Sequence, residues 1–119
     1  MAPPASVQVF GRKDSRPTQA ALRFFRERRV AVSLVDVTVR PPAATELRRF
    51  VQRLGSRALL DTESKAYRDQ GLAYLTMGDD EILERLLEDP RLLRLPMVRA
   101  GDRFSAGPAE QTWRAWLVP

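Results

Sequence analysis

Ser15 is the residue of this chain best placed to do chemistry. It sits in a polar run, Arg12-Lys13-Asp14-Ser15-Arg16, between an alternating apolar stretch, Val7-Gln8-Val9-Phe10, and a helical one, Ala20-Ala21-Leu22-Arg23-Phe24-Phe25. A turn from strand to helix aims backbone N–H groups and a helix dipole at whatever lies in front of it. A serine hydroxyl there becomes a nucleophile only with a base beside it, usually histidine. The 119 residues contain no histidine and no cysteine. Disulfides, thiolate chemistry, Cys/His zinc sites and an imidazole base are therefore excluded. Lys13 is the nearest amine, a weak substitute for a base. What the turn offers instead is charge. Arg12, Lys13 and Arg16 around a helix start can hold a small anion or the carboxylates of a low-molecular-weight thiol. The competing reading is that these side chains are simply solvated.

The elements that must position this turn follow from the apolar periodicity. Residues 7–10 predict a strand and Arg16 to about Arg28 a helix, with Ser15 as N-cap and Pro17 in the first turn. Val30–Val37 is rich in β-branched residues and nearly continuous in apolar character, a buried strand parallel to the first. Arg40-Pro41-Pro42 breaks the chain. Leu47, Phe50, Val51 and Leu54 mark a second helix, with Thr45 as a candidate cap and Gly55 as its stop. Arg57–Leu60 reads as a single helical turn. Asp61-Thr62-Glu63 can cap a short helix bearing Tyr67, which packs within this region and ends at Gly71. Gly78-Asp79-Asp80 opens a helix carrying Ile82, Leu83, Leu86 and Leu87, and Asp89-Pro90 ends it. A loop then runs into a strand near Met97–Arg99. Ala100-Gly101-Asp102 is a hairpin turn and Arg103-Phe104-Ser105 the return strand. Pro108 starts a last helix, whose Trp113 and Trp116 read as core and rim packing.

The order β-α-β, helices, β-β-α defines an α/β chain with a four-stranded mixed sheet flanked by helices, the thioredoxin-like arrangement. One domain, 1–119, accommodates it. Residues 1–6 are expected to form a flexible tail. The N-terminus lacks the basic and apolar regions of a signal peptide, and no run reaches the ~18–20 apolar residues of a membrane span. The expected location is the cytoplasm, with no membrane contact. The net charge of +5 is uneven: residues 1–57 hold 12 Lys+Arg against 4 Asp+Glu, +8, and residues 58–119 hold 8 against 11, −3. A basic half can face an acidic partner or nucleic acid, or be a solvated surface. No nucleic-acid motif accompanies the charge. No metal-ligand cluster and no cofactor motif is apparent.

Four stretches carry a family resemblance that spans nearly the whole chain. They are Val9-Phe10-Gly11-Arg12-Lys13-Asp14-Ser15, the mid-chain Arg57–Tyr67 with its double leucine, Leu86–Pro96, which resembles a helix end of typical form ENPxLIxRP, and Gly101-Asp102-Arg103 with Gly107. Together they resemble the arsenate reductase (ArsC)/Spx family of the thioredoxin-like fold. The resemblance implies an all-helical insert at residues 43–88, between the βαβ and ββα units. It also implies that Pro96 is a cis-proline, placing Leu95 and Pro96 beside the Ser15 turn, although only ~5–6% of X–Pro bonds are cis.

The resemblance also shows what has changed. Ser15 stands at the family's catalytic cysteine and Thr18 at the second cysteine of the Spx-type pair. The family's arginines fall at Asp61, at Leu95 and near Ala106. The expectation is a family member without redox chemistry, a binding or regulatory protein whose ligand residues are Lys13, Ser15, Arg16, Leu95 and Pro96. Its expected ligands are a small oxyanion or a low-molecular-weight thiol. Resemblance to Spx adds the RNA polymerase α-subunit as a protein partner. The alternative is an enzyme, arsenate reductase-related or glutaredoxin-like, in which an external low-molecular-weight thiol supplies the sulfur.

Overall fold

A computed structural model describes residues 3–118. Four strands, β1 (Ser6–Gly11), β2 (Ala31–Asp36), β3 (Met97–Ala100) and β4 (Arg103–Ala106), form one sheet in the order β2-β1-β3-β4. β1 runs parallel to β2, with Val9 beside Leu34, and antiparallel to β3, with Val9 beside Val98. β3 and β4 form the closing hairpin. The helices are α1 (Arg16–Glu27), α2 (Ala44–Leu54), α3 (Lys65–Asp69), α4 (Asp79–Glu88) and α5 (Glu110–Leu117), with α2, α3 and α4 between β2 and β3. No helix among the described residues is long and apolar enough to cross a membrane.

The two faces of β1 build two cores, because successive side chains of a strand point to opposite sides. Val7 and Val9 face α1 and α5, where they meet Phe24, Phe25, Val98 and Trp113. The Trp113 ring lies 5.4 Å from Phe25, centroid to centroid, and its Nε1–H donates to Ser105 Oγ at 2.8 Å. That bond satisfies the one polar atom the indole takes into the core. Phe10 points the other way, under the insert, where Leu47, Phe50, Leu59, Ile82 and Leu86 bury it. Phe50 stacks edge-on against both Phe10 (5.9 Å) and Phe104 (4.9 Å), tying α2 to the sheet. Each such side chain contributes about 1.5–3 kcal/mol by leaving water.

The strand expected to be buried is an edge instead: β2 pairs with β1 alone and none of its six residues is fully buried. Several boundaries also differ from the sequence expectation, each for a local reason. Ser6, expected in the tail, is already in β1, and Ala5 C=O accepts the Ala31 N–H at 3.1 Å. Met1 and Ala2 lie outside the described residues. Thr45 does not cap α2. The Glu46 carboxylate reaches back to the Ala43 N–H at 2.9 Å and does that work. Ser64, not Asp61–Glu63, caps α3, its Oγ accepting the Tyr67 N–H at 3.1 Å. α5 begins at Glu110, two residues after Pro108, because Ala109 is the N-cap, with a non-helical φ of −149°.

Candidate functional site

The turn between β1 and α1 is locked from within. Gly11 ends the strand directly against Thr18: a Cβ on Gly11 would lie 2.4 Å from Thr18 Cγ2. Thr18 is fully buried, and its Oγ1 accepts the Arg12 N–H at 3.3 Å. Ser15 caps α1, with its Oγ accepting the Thr18 N–H at 3.3 Å and its own N–H donating to Arg12 C=O at 3.1 Å. Pro17 has no N–H and Gln19 N–H bonds Ser15 C=O. Among the described residues the Arg16 N–H is the donor of this helix start that has no partner. The Ser15 oxygen serves as the cap acceptor, and the Ser15 N–H is used within the turn.

The far wall comes from the insert and the segment before β3. Two antiparallel backbone bonds join them, Asp61 N–H to Leu92 C=O and Arg94 N–H to Leu59 C=O, both 2.8 Å. They bring Asp61 and Leu95 opposite the turn. The Leu95–Pro96 bond is cis, as the resemblance implies, and Pro96 C=O accepts the Gly107 N–H at 2.9 Å. Between the walls lies a groove of about 600 Å³. The turn contributes Arg12, Asp14, Ser15 and Arg16 to its lining, and the opposite side contributes Asp61, Lys65, Asp69, Arg91 and Leu95.

The charges of this groove are mixed and mostly paired. Lys65 Nζ holds Asp69 at 2.5 Å, and that hydrogen bond keeps the Asp69 carboxyl below its ordinary range. Arg91 grips Asp89 through Nε (2.9 Å) and an outer nitrogen (2.8 Å), which lowers the Asp89 carboxyl likewise. Arg12 Nε, shut off from solvent, has Asp14 at 3.5 Å, too long for a good hydrogen bond. Among the described residues Arg16 and Asp61 make no ion pair; Asp61 accepts the Glu63 N–H at 3.0 Å. One unpaired cation and one unpaired carboxylate thus line the groove from opposite walls.

The expected ligand residues do not all meet there. Ser15, Arg16 and Leu95 line the groove; Lys13 and Pro96 do not. Lys13 lies toward the end of β2, beside Asp36. Hydrogen bonds from the Thr38 hydroxyl and N–H chiefly lower that carboxyl, and Lys13 adds to the effect. Pro96 is buried behind Leu95. Thr18 is a buried latch rather than a groove residue. Sequence reasoning missed Lys65, Asp69 and Arg91. The i, i+4 spacing of Lys65 and Asp69 was a visible signal of a pair, but not of its place opposite Ser15. Among the described residues no three acidic side chains gather as a metal site would require.

A mixed four-stranded sheet, a helix starting at the end of its central parallel strand, and a cis-proline before the antiparallel hairpin define a thioredoxin-like protein. The sequence profile of the ArsC family matches residues 10–116, and the chain belongs to that family. Among relatives, it is 26% identical over 104 residues to an arsenate reductase of Neisseria meningitidis, covering 85% of this chain and 89% of that one. It is 25% identical over 114 residues to the global transcriptional regulator Spx 2 of Oceanobacillus iheyensis, covering 94% and 84%. The fold matches the structure of arsenate reductase from Vibrio cholerae with a TM-score of 0.83 at 21% identity, over 98% of this chain and 100% of that one. An ArsC-family related protein from Bacteroides fragilis superposes with a TM-score of 0.85 at 17% identity, covering 92% and 96%.

Proposed function

We propose that this chain is a non-redox member of the ArsC family, whose groove beside Ser15 binds a small zwitterionic, peptide-like molecule. Low-molecular-weight thiols such as glutathione belong to that class. The observation that carries the reading is the unpaired Arg16 on one wall of the groove and the unpaired Asp61 on the other. A ligand with both a carboxylate and an ammonium group complements the two at once, whereas a simple oxyanion would meet Asp14 and Asp61 as well as the arginines. Ser15 supports binding by holding the helix start in place. The chain has no histidine to serve as its base, so a covalent step through Ser15 has no support.

Titration calorimetry tests the reading. Glutathione is expected to bind, and Arg16→Glu or Asp61→Lys each to weaken it by roughly tenfold, the loss of one charged contact. Sulfate is expected to bind more weakly than glutathione. Tighter sulfate binding, or no response to either substitution, would overturn the zwitterion assignment. Arsenate or mixed-disulfide turnover with added glutathione above the protein-free rate would instead favour the enzyme alternative.

A second reading is a regulatory contact with the RNA polymerase α-subunit. Similarity to a global transcriptional regulator over nearly the full chain favours it. A complex of the purified proteins that survives moderate salt would support it, and its absence would remove it.

A further inference from the structure

The outer edge of β2 is open. Ala31 N–H bonds Ala5 C=O and Val37 N–H bonds Gly11 C=O, which fixes the phase of the strand: odd-numbered peptide groups face β1. The N–H and C=O groups of Val32 and Leu34 therefore face outward, and no protein group among the described residues meets them. Sheet edges of this kind are ordinarily blunted by lysine, proline, a bulge or brevity. β2 has six residues, all but the last uncharged, and none of these devices. The opposite edge, β4, is only four residues long, and its Arg103 is tied to Trp116 C=O at 2.8 Å.

We propose that β2 pairs antiparallel with β2 of a second copy, across a two-fold axis at Ser33, to make a continuous eight-stranded sheet. The strand is self-complementary in this register. Val32 of one copy lies opposite Leu34 of the other, each pair exchanging both N–H···O bonds, so all the outward groups of both residues are used. Val32 and Leu34 are half-buried on the α1 side, and pairing sets them against each other as apolar cross-strand neighbours. Ser33 is exposed on the other face and meets only its own copy, with no bulk to clash. Charge agrees with the direction. Between residues 28 and 39 the charged side chains are Arg28 and Arg29 before the strand and Asp36 at its end. Antiparallel pairing carries Asp36 of each copy toward the Arg29 end of the other. An isologous contact of this kind closes as a dimer and does not propagate.

Ser33 on the axis gives a direct test, because an exposed side chain can be changed without touching either core. Sedimentation of the full chain over rising concentration is expected to show a monomer–dimer equilibrium. Ser33→Lys and Ser33→Glu each place like charges face to face and should each raise the dissociation constant by roughly tenfold or more. An equimolar mixture of the two variants should recover the dimer, since the axis then holds opposite charges. A wild-type monomer at every concentration up to about 1 mM overturns the proposal. So does a dimer that neither substitution weakens, or a pair of weakened variants that mixing does not restore.

Discussion

Gly11 and Thr18 stand so close that a single methyl group on Gly11 would fall 2.4 Å from Thr18 Cγ2. This contact sets how near α1 starts to the end of β1, and so where the Ser15 turn points. Thr18 is fully buried and cannot swing aside. Gly11→Ala is therefore expected to destabilise the fold by about 1–3 kcal/mol through overpacking. Gly11→Ala with Thr18→Ala removes the two closest atoms and should cost less than the sum of the single changes. Chemical denaturation of the four variants in a double-mutant cycle checks this.

Ser15 is expected to act as a cap rather than a reagent. Ser15→Ala should cost about 0.5–2 kcal/mol of stability, read by the same denaturation. Ser15→Cys puts a thiol at the helix start, between Arg12 and Arg16. Its pKa should fall below the ~8.5 of free cysteine, measured by the pH dependence of thiolate absorbance. A normal value would show that the turn no longer favours an anion.

Asp89 joins the insert to the segment before β3. Its carboxylate accepts from the Arg91 N–H (3.1 Å), from the Arg91 guanidinium, and from Gln70 Nε2 at 2.8 Å. These bonds lower its pKa in the folded state. A carboxyl lowered on folding contributes stability above its unfolded value, about 3.9, and loses it as pH falls through the folded one. Acidification below about pH 4 should therefore weaken the wild type more steeply than Asp89→Asn, with stability followed by thermal unfolding across pH. At pH 7, Asp89→Ala should cost about 1–3 kcal/mol by leaving its donors unpaired.

The architecture was largely legible in the sequence because it rests on short-range patterns. The alternation of Val7–Phe10, the run rich in β-branched residues from Val30 and the leucines of α4 each announce their element, and the resemblance around Pro96 anticipated the cis bond. What escaped were relations between distant segments. Thr18 reads as a polar helix residue until Gly11 is seen against it. Ser64 and Asp61 compete as caps within four residues, and only the backbone path chose Ser64. The groove's mixed charge was hidden most completely. Arg16, Asp61, Lys65 and Arg91 come from three stretches of chain that meet only after the Leu59–Asp61 and Leu92–Arg94 segments pair.

The measurement that bears most directly on the binding frame is a ¹⁵N NMR titration of the full chain with glutathione. Saturable shifts confined to residues 12–16, 61–65 and 95, lost in Arg16→Glu, are the predicted result. The absence of shifts at about 10 mM ligand, or shifts elsewhere that Arg16→Glu leaves unchanged, would contradict it.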